Sequence, residues 1–180
     1  MRLGCCRGVR LIMSTRPYNV LFLCTGNSAR SVIAEALLNV LGQGRFKAYS
    51  AGSFPSGTVQ PIAAEMAEAF GYTEPLRSKN WDEFTQPGAP SMDFIITVCD
   101  NAAGEMCPIW PGQPMTVHWG VPDPVAMAGA EDTRRRAFRA TWLMLRQGIE
   151  LLLALPVDKL DRMAIQHELR AIGRASVHEH

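Results

Sequence analysis

The stretch Tyr18-Asn19-Val20-Leu21-Phe22-Leu23-Cys24-Thr25-Gly26-Asn27-Ser28-Ala29-Arg30-Ser31-Val32-Ile33 decides the fold. Tyr18 to Leu23 is a short apolar run of the kind that forms a buried strand, and Val32, Ile33, Ala36, Leu37, Val40 and Leu41 recur at helical spacing directly after the loop. Strand, tight loop and helix together make a cradle for a tetrahedral anion. Successive backbone N–H groups of such a loop point inward, and the N-terminus of the following helix adds partial positive charge at the same spot. Thr25, Gly26, Asn27, Ser28, Ala29, Arg30 and Ser31 are the expected oxyanion-binding set, with Arg30 gripping two oxygens through its planar fork.

A thiol at the start of that loop is the expected nucleophile. Donors that hold an oxyanion also stabilise a thiolate, so Cys24 is expected to titrate well below about 8.5. Ser31 is placed either to donate a hydrogen bond to the sulfur or to cap the helix. Asn27 is expected to brace an unusual loop backbone, which Gly26 also permits.

Outward from this unit, strands and helices alternate. Phe46 to Ala51 reads as a second strand closed by Gly52, and Pro61 opens a helix with the apolar stripe Ile62, Ala63, Met66, Ala69, Phe70, ended by Gly71. Arg77 to Phe84 reads as a loop with a short helix, Met92 to Val98 as a third strand with Cys99 at its carboxyl end, and Met115 to His118 as a fourth strand. Phe138, Trp142, Leu145, Ile149 and Leu152 share one face of a core helix over Glu131 to Leu155, and Leu160 to Ile172 predicts a further helix before Gly173. Alternation of this kind predicts an α/β fold with a parallel sheet and helices on both faces. Ligands of such sheets bind beyond the carboxyl ends of the strands, where neighbouring strands about 4.8 Å apart bring Cys99 toward Cys24.

Bulk properties narrow the function classes. A chain of 180 residues holds one full core, and a net charge of +1 gives no electrostatic reason for nucleic acid or an anionic membrane as partner. Arg134-Arg135-Arg136 reads as a solvated helix face, and the longest apolar run, Ile149 to Leu155, falls far short of a membrane span. Five cysteines without a secretory apolar segment point to a reducing cytoplasm, where cysteines tend to be catalytic or ligating. Residues 1–16, with four arginines and the Cys5-Cys6 pair but no period, read as a disordered extension ahead of a single domain over 17–180.

The Cys24-x5-Arg30-Ser31 loop, with Gly26-Asn27 inside it and the first strand before it, resembles the low-molecular-weight protein tyrosine phosphatase family over Tyr18 to Glu150. The segment Val98-Cys99-Asp100-Asn101-Ala102-Ala103-Gly104-Glu105-Met106-Cys107-Pro108 resembles the redox cysteine segment of arsenate reductases built on that fold. The resemblance implies a three-layer sandwich around a four-stranded parallel sheet, and it implies reduction of arsenate to arsenite by a thiol relay. Cys24 would form the arsenic adduct, Cys99 would resolve it, and Cys107 would move the disulfide outward across a flexible Asp100 to Met106 stretch. The spacing alone leaves the order of Cys99 and Cys107 open. It also allows a small buried hydrophobe at Cys99 and an inert thiol at Cys107, while a zinc set of Cys99, Cys107 and His118 fits no common spacing.

In Val121-Pro122-Asp123-Pro124 the resemblance makes Asp123 the general acid, with His118 and Trp119 holding that loop in place. Ala29 stands where these phosphatases carry a second loop cysteine, and Val125-Ala126 where they carry a pair of tyrosines, so the aromatic clamp for phosphotyrosine is missing. The resemblance implies no tightly bound cofactor. It further implies an external reductant, namely thioredoxin, glutaredoxin with glutathione or another low-molecular-weight thiol, a potassium ion near Asn27, Glu35 and Ser50, and a monomer or weak dimer. The alternative is a phosphatase that hydrolyses phosphotyrosine or a small phosphoester through a cysteinyl-phosphate intermediate. An oxyanion-binding or redox-sensing module that locks its cysteines without turnover is a third class.

Overall fold

A computed structural model describes residues 16–178; residues 1–15, with Cys5 and Cys6, lie outside it. Arg16, counted with the extension above, forms a two-pronged ion pair with Asp93, at 2.8 and 2.9 Å. The elements in chain order are β1 (Tyr18–Cys24), α1 (Arg30–Leu41), β2 (Phe46–Gly52), α2 (Pro61–Ala69), β3 (Phe94–Thr97), α3 (Asp100–Gly104), β4 (Met115–His118), α4 (Glu131–Ala154) and α5 (Arg162–His178). Short 3-10 turns occupy Trp81–Phe84 and Val157–Lys159.

The strands form one parallel sheet in the order β2-β1-β3-β4. Period-two alternation sorts its side chains between two layers. Val20 and Phe22 of β1 and Ile96 of β3 join Ile33, Leu37, Phe138, Leu145 and Leu169 in the larger apolar cluster, which the four longer helices build. Leu21, Leu23 and Ile95 face the other way and pack with Phe84, Met92 and Trp110. Helices therefore cover both faces unequally: four long ones on one side, the Trp81–Phe84 turn and the loop carrying Trp110 on the other. Pro61 sits in the first turn of α2, where no N–H is needed. No helix among the described residues is long and apolar enough to cross a membrane.

Three elements differ from the expectation. β3 spans only Phe94–Thr97, although the Val98 N–H still reaches the Leu23 carbonyl at 2.8 Å as the last rung beside β1. The Asp100 to Met106 stretch is not an open loop: Asp100–Gly104 is helical, and the Cys99 sulfur caps it by accepting the Ala102 N–H at 3.3 Å. Gly173 does not end the last helix, which runs through it to His178. A Cβ there would fall 2.4 Å from the His118 carbonyl oxygen and 2.8 Å from Trp119 Cδ1, so this glycine answers a close approach. Nearby, the buried Trp119 indole donates to the Leu169 carbonyl at 3.0 Å and pins α5 to the end of β4.

Gly173→Ala is expected to destabilise the protein by about 1–3 kcal/mol, the ordinary range for overpacking. Urea unfolding monitored by circular dichroism should show a lower midpoint at unchanged slope.

Candidate active site

Planar peptides fix where the loop's donors point. The carbonyls of Thr25, Gly26 and Ser28 accept hydrogen bonds from the backbone N–H groups of Phe54, Ser56 and Gln60 at 2.9 to 3.0 Å. In trans peptides the next N–H points the opposite way, so those of Gly26, Asn27 and Ala29 turn toward the interior of the loop. The Asn27 N–H meets the Cys24 sulfur at 3.2 Å. β2 passes close beneath: a Cβ on Gly52 would lie 2.3 Å from the Thr25 carbonyl oxygen, which excludes any larger residue.

Asn27 holds the loop in shape. It is fully buried with φ of 43°, the left-handed region that asparagine tolerates better than most residues. Gly26 has no positive φ, contrary to expectation; the strained position is Asn27. Its side-chain oxygen accepts the Lys79 N–H at 2.8 Å, which fixes the amide so that its NH2 donates to Ser31 Oγ at 2.8 Å. Ser31 Oγ in turn lies in hydrogen-bond contact with Cys24 Sγ, 2.9 Å away, and can donate to the sulfur once it is a thiolate. Of the two readings for Ser31, hydrogen bonding to the sulfur is the observed one, since Ala29 is the helix cap.

The expected depression of Cys24 is not found. Burial pushes this 3%-exposed thiol above its ordinary value and the neighbouring Cys99 adds to that, while hydrogen bonds from Ser31 and the Asn27 amide pull it down without prevailing. Cys107 is also pushed up, by burial and then by Glu105.

Arg30, Asp123 and Cys99 line one cavity of about 350 Å³ together with Asp100, Val121 and Pro122. Arg30 Nη2 lies 3.2 Å from Asp123 Oδ2, and its Nη1 donates to the Val121 carbonyl at 3.1 Å. Asp123 is 40% exposed at the cavity rim. Cys99, 1% exposed, reaches the residue beside Cys24: its sulfur is 3.7 Å from Thr25 Oγ1, whose hydroxyl donates to Glu105 Oε1 at 3.3 Å. The topology thus gathers Cys24, Arg30, Cys99 and Asp123 at the carboxyl ends of β1, β3 and β4. Cys107 lines a different cavity, with Thr97, His118, Arg170 and Arg174, on the other side of α3.

The set Asn27, Glu35 and Ser50 does not fit a potassium ion. The Lys79 ammonium lies 3.4 Å from Glu35 Oε2 and 3.3 Å from Ser50 Oγ, so a covalently fixed cation already faces this carboxylate. Lys79 and Glu35 are each 8% exposed. Sequence reasoning missed Lys79, because a lysine between Ser78 and Asn80 carries no periodic signal; it also missed Glu105. His118 ties to α3 rather than to the Asp123 loop: its Nε2 is 2.9 Å from Asp100 Oδ1 and its Nδ1 2.8 Å from Thr97 Oγ1. Trp119 holds α5.

Comparison with known proteins places this geometry. The family model described as low molecular weight phosphotyrosine protein phosphatase matches residues 19–166. A protein named arsenate reductase from Halalkalibacterium halodurans is 32% identical over 120 residues, 67% of this chain and 84% of its own length. Another of that name from Staphylococcus aureus is 33% identical over 118 residues, 65% of this chain and 86% of its own. The solved structure described as an arsenate reductase in the phosphate binding state superposes with a TM-score of 0.62 at 28% identity, covering 76% of this chain and 97% of that one.

Two outcomes are expected from these contacts. Ser31→Ala removes the hydroxyl donor to the sulfur, so the pH profile of Cys24 alkylation by iodoacetamide, read by peptide mass spectrometry, should shift upward and the rate at neutral pH fall about tenfold. Lys79→Met leaves Glu35 buried without its cation and should cost about 3 kcal/mol or more, whereas exchanging potassium for sodium should leave the melting temperature of the parent unchanged.

Proposed function

The chain belongs to the low molecular weight phosphotyrosine protein phosphatase family, and within it we propose that this protein reduces arsenate to arsenite. The observation that carries this reading is Cys99: a second buried thiol on the cavity that holds Arg30 and Asp123, in contact with the residue beside Cys24. Hydrolysis of a phosphoester has no use for it. Supporting it are the relatives named arsenate reductase and the Val125-Ala126 pair, which supplies no aromatic clamp.

The chemistry assigns a role to each group. Arg30 and the inward N–H groups of Gly26, Asn27 and Ala29, within the loop from Thr25 to Ser31, hold the arsenate oxygens. The Cys24 thiolate forms a sulfur–arsenic bond while Asp123 protonates the departing oxygen, which leaves as water. A second thiolate, Cys99, then attacks Cys24 Sγ; the sulfur–arsenic bond breaks with its electron pair on arsenic, which leaves as arsenite. The two thiolates have lost the two electrons that arsenic gained. The Cys107 thiolate then attacks Cys99 Sγ, the Cys24–Cys99 bond breaks with Cys24 leaving as thiolate, and an external thiol reductant reduces the Cys99–Cys107 disulfide. Because Cys99 and Cys107 line separate cavities, this transfer requires α3 to unwind.

Cys24, Arg30 and Asp123 also suit a cysteinyl-phosphate pathway, so slow aryl phosphate hydrolysis is expected alongside. Cys99→Ser separates the two reactions. Arsenate turnover with a thiol reductant should fall by about a hundredfold or more, while aryl phosphate hydrolysis persists within about twofold. Equal loss of both, or arsenate turnover untouched, sinks the reductase reading.

A further inference from the structure

We propose that the cavity between β4 and α5 is a second anion site, which seats a small carboxylate-bearing thiol against Cys107. The proposal rests on the reductase reading for its purpose and on α5 for its geometry. Arg170 and Arg174 stand one turn apart on α5, so their side chains leave the same face, and that face closes the cavity over Cys107, Thr97 and His118. Both are exposed, and neither forms an ion pair among the described residues. Arg77, Arg135 and Arg146 pair with carboxylates elsewhere on this surface, and what sets Arg170 and Arg174 apart from the other arginines without an ion pair is that they line a cavity holding a cysteine.

Placement of these charges is not incidental to the fold. Gly173 lets α5 close onto the His118 carbonyl, and Trp119 anchors Leu169, one residue before Arg170. The family match ends at residue 166, so both guanidiniums lie on a part of α5 beyond the matched residues.

Size favours a small molecule. The cavity holds about 350 Å³, within the roughly 300 to 1,000 Å³ of small-ligand pockets. A thiol carrying one or two carboxylates matches two guanidiniums with its sulfur left to face Cys107. In the reductive direction, one such thiolate attacks the Cys107 sulfur of a Cys99–Cys107 disulfide, that bond breaks, and Cys99 leaves as thiolate. A second thiolate then attacks the mixed disulfide, freeing Cys107 and forming the small-molecule disulfide. Two thiols supply the two electrons.

The reverse exchange tests the site without arsenate. Reduced protein is incubated with glutathione disulfide, which carries carboxylates on both halves, or with uncharged hydroxyethyl disulfide, and the mixed disulfide at Cys107 is followed by mass spectrometry. In the Arg170→Gln/Arg174→Gln double variant the ratio of the two rates should fall about tenfold from that of the parent; high salt should collapse the parent's ratio in the same way, and Arg170→Lys/Arg174→Lys should retain most of it. The ratio is internal to each variant, so a general loss of reactivity leaves it readable. An unchanged ratio overturns the site, as does an oxidised Cys107 that only a dithiol protein reduces, at a rate indifferent to the two arginines. A normal ratio in a protein that fails to reduce arsenate overturns the reductase reading and leaves the site standing.

Discussion

One buried side chain organises this site: Asn27. Its amide oxygen is committed to the Lys79 N–H, and that single choice fixes the amide so that its NH2 faces Ser31. Asn27 must then donate to Ser31, Ser31 shares a hydrogen bond with Cys24, and the Asn27 backbone N–H meets the same sulfur. A left-handed backbone costs about 1 kcal/mol or more at a residue with a Cβ. Here it is offset by three hydrogen bonds at a fully buried residue. Replacing one of these partners leaves another with an unmatched polar group, so the network acts as a unit.

The sheet supplies what the loop cannot. Because β1 and β3 are adjacent and parallel, the chain leaves both at the same end, and residues 74 positions apart in sequence meet. Arg30 illustrates the result: it starts α1, yet its guanidinium ends on the Val121 carbonyl and the Asp123 carboxylate, bracing the loop after β4. The cation over Glu35 follows the same logic. Lys79 comes from the segment that pairs with Gly52 at the end of β2, so its backbone steadies the anion loop while its side chain neutralises the carboxylate beneath.

Much of the fold was legible in the residues because periodicity records burial. The strand pattern of Tyr18 to Leu23, the Pro61 helix start and the five-residue apolar stripe of α4 each mark a face that must leave water. Approach distances leave no such record. Gly173 carries the composition signal of a helix end and serves instead as a contact point, and only the position of His118 and Trp119 distinguishes the two. Lys79 was equally opaque, since its partner Glu35 is distant in sequence and sits within an apolar run. Of the candidate site, the loop and Cys99 were legible from spacing at the strand ends, whereas the separation of Cys99 from Cys107 by a helical turn was not.

The direction of the Cys24 shift was misjudged for a related reason. Donors were legible in the sequence; the depth at which they act was not. A high resting value is compatible with a nucleophile, because intrinsic thiolate reactivity rises with basicity. With a Brønsted slope of about 0.4 to 0.5, each unit upward lowers the thiolate population roughly tenfold at neutral pH and raises the reactivity of each thiolate about threefold. The net loss is about threefold per unit, small beside what orientation by the loop contributes. In exchange, the thiol stays protonated when idle, and protonated thiols are the ones that oxidants pass over.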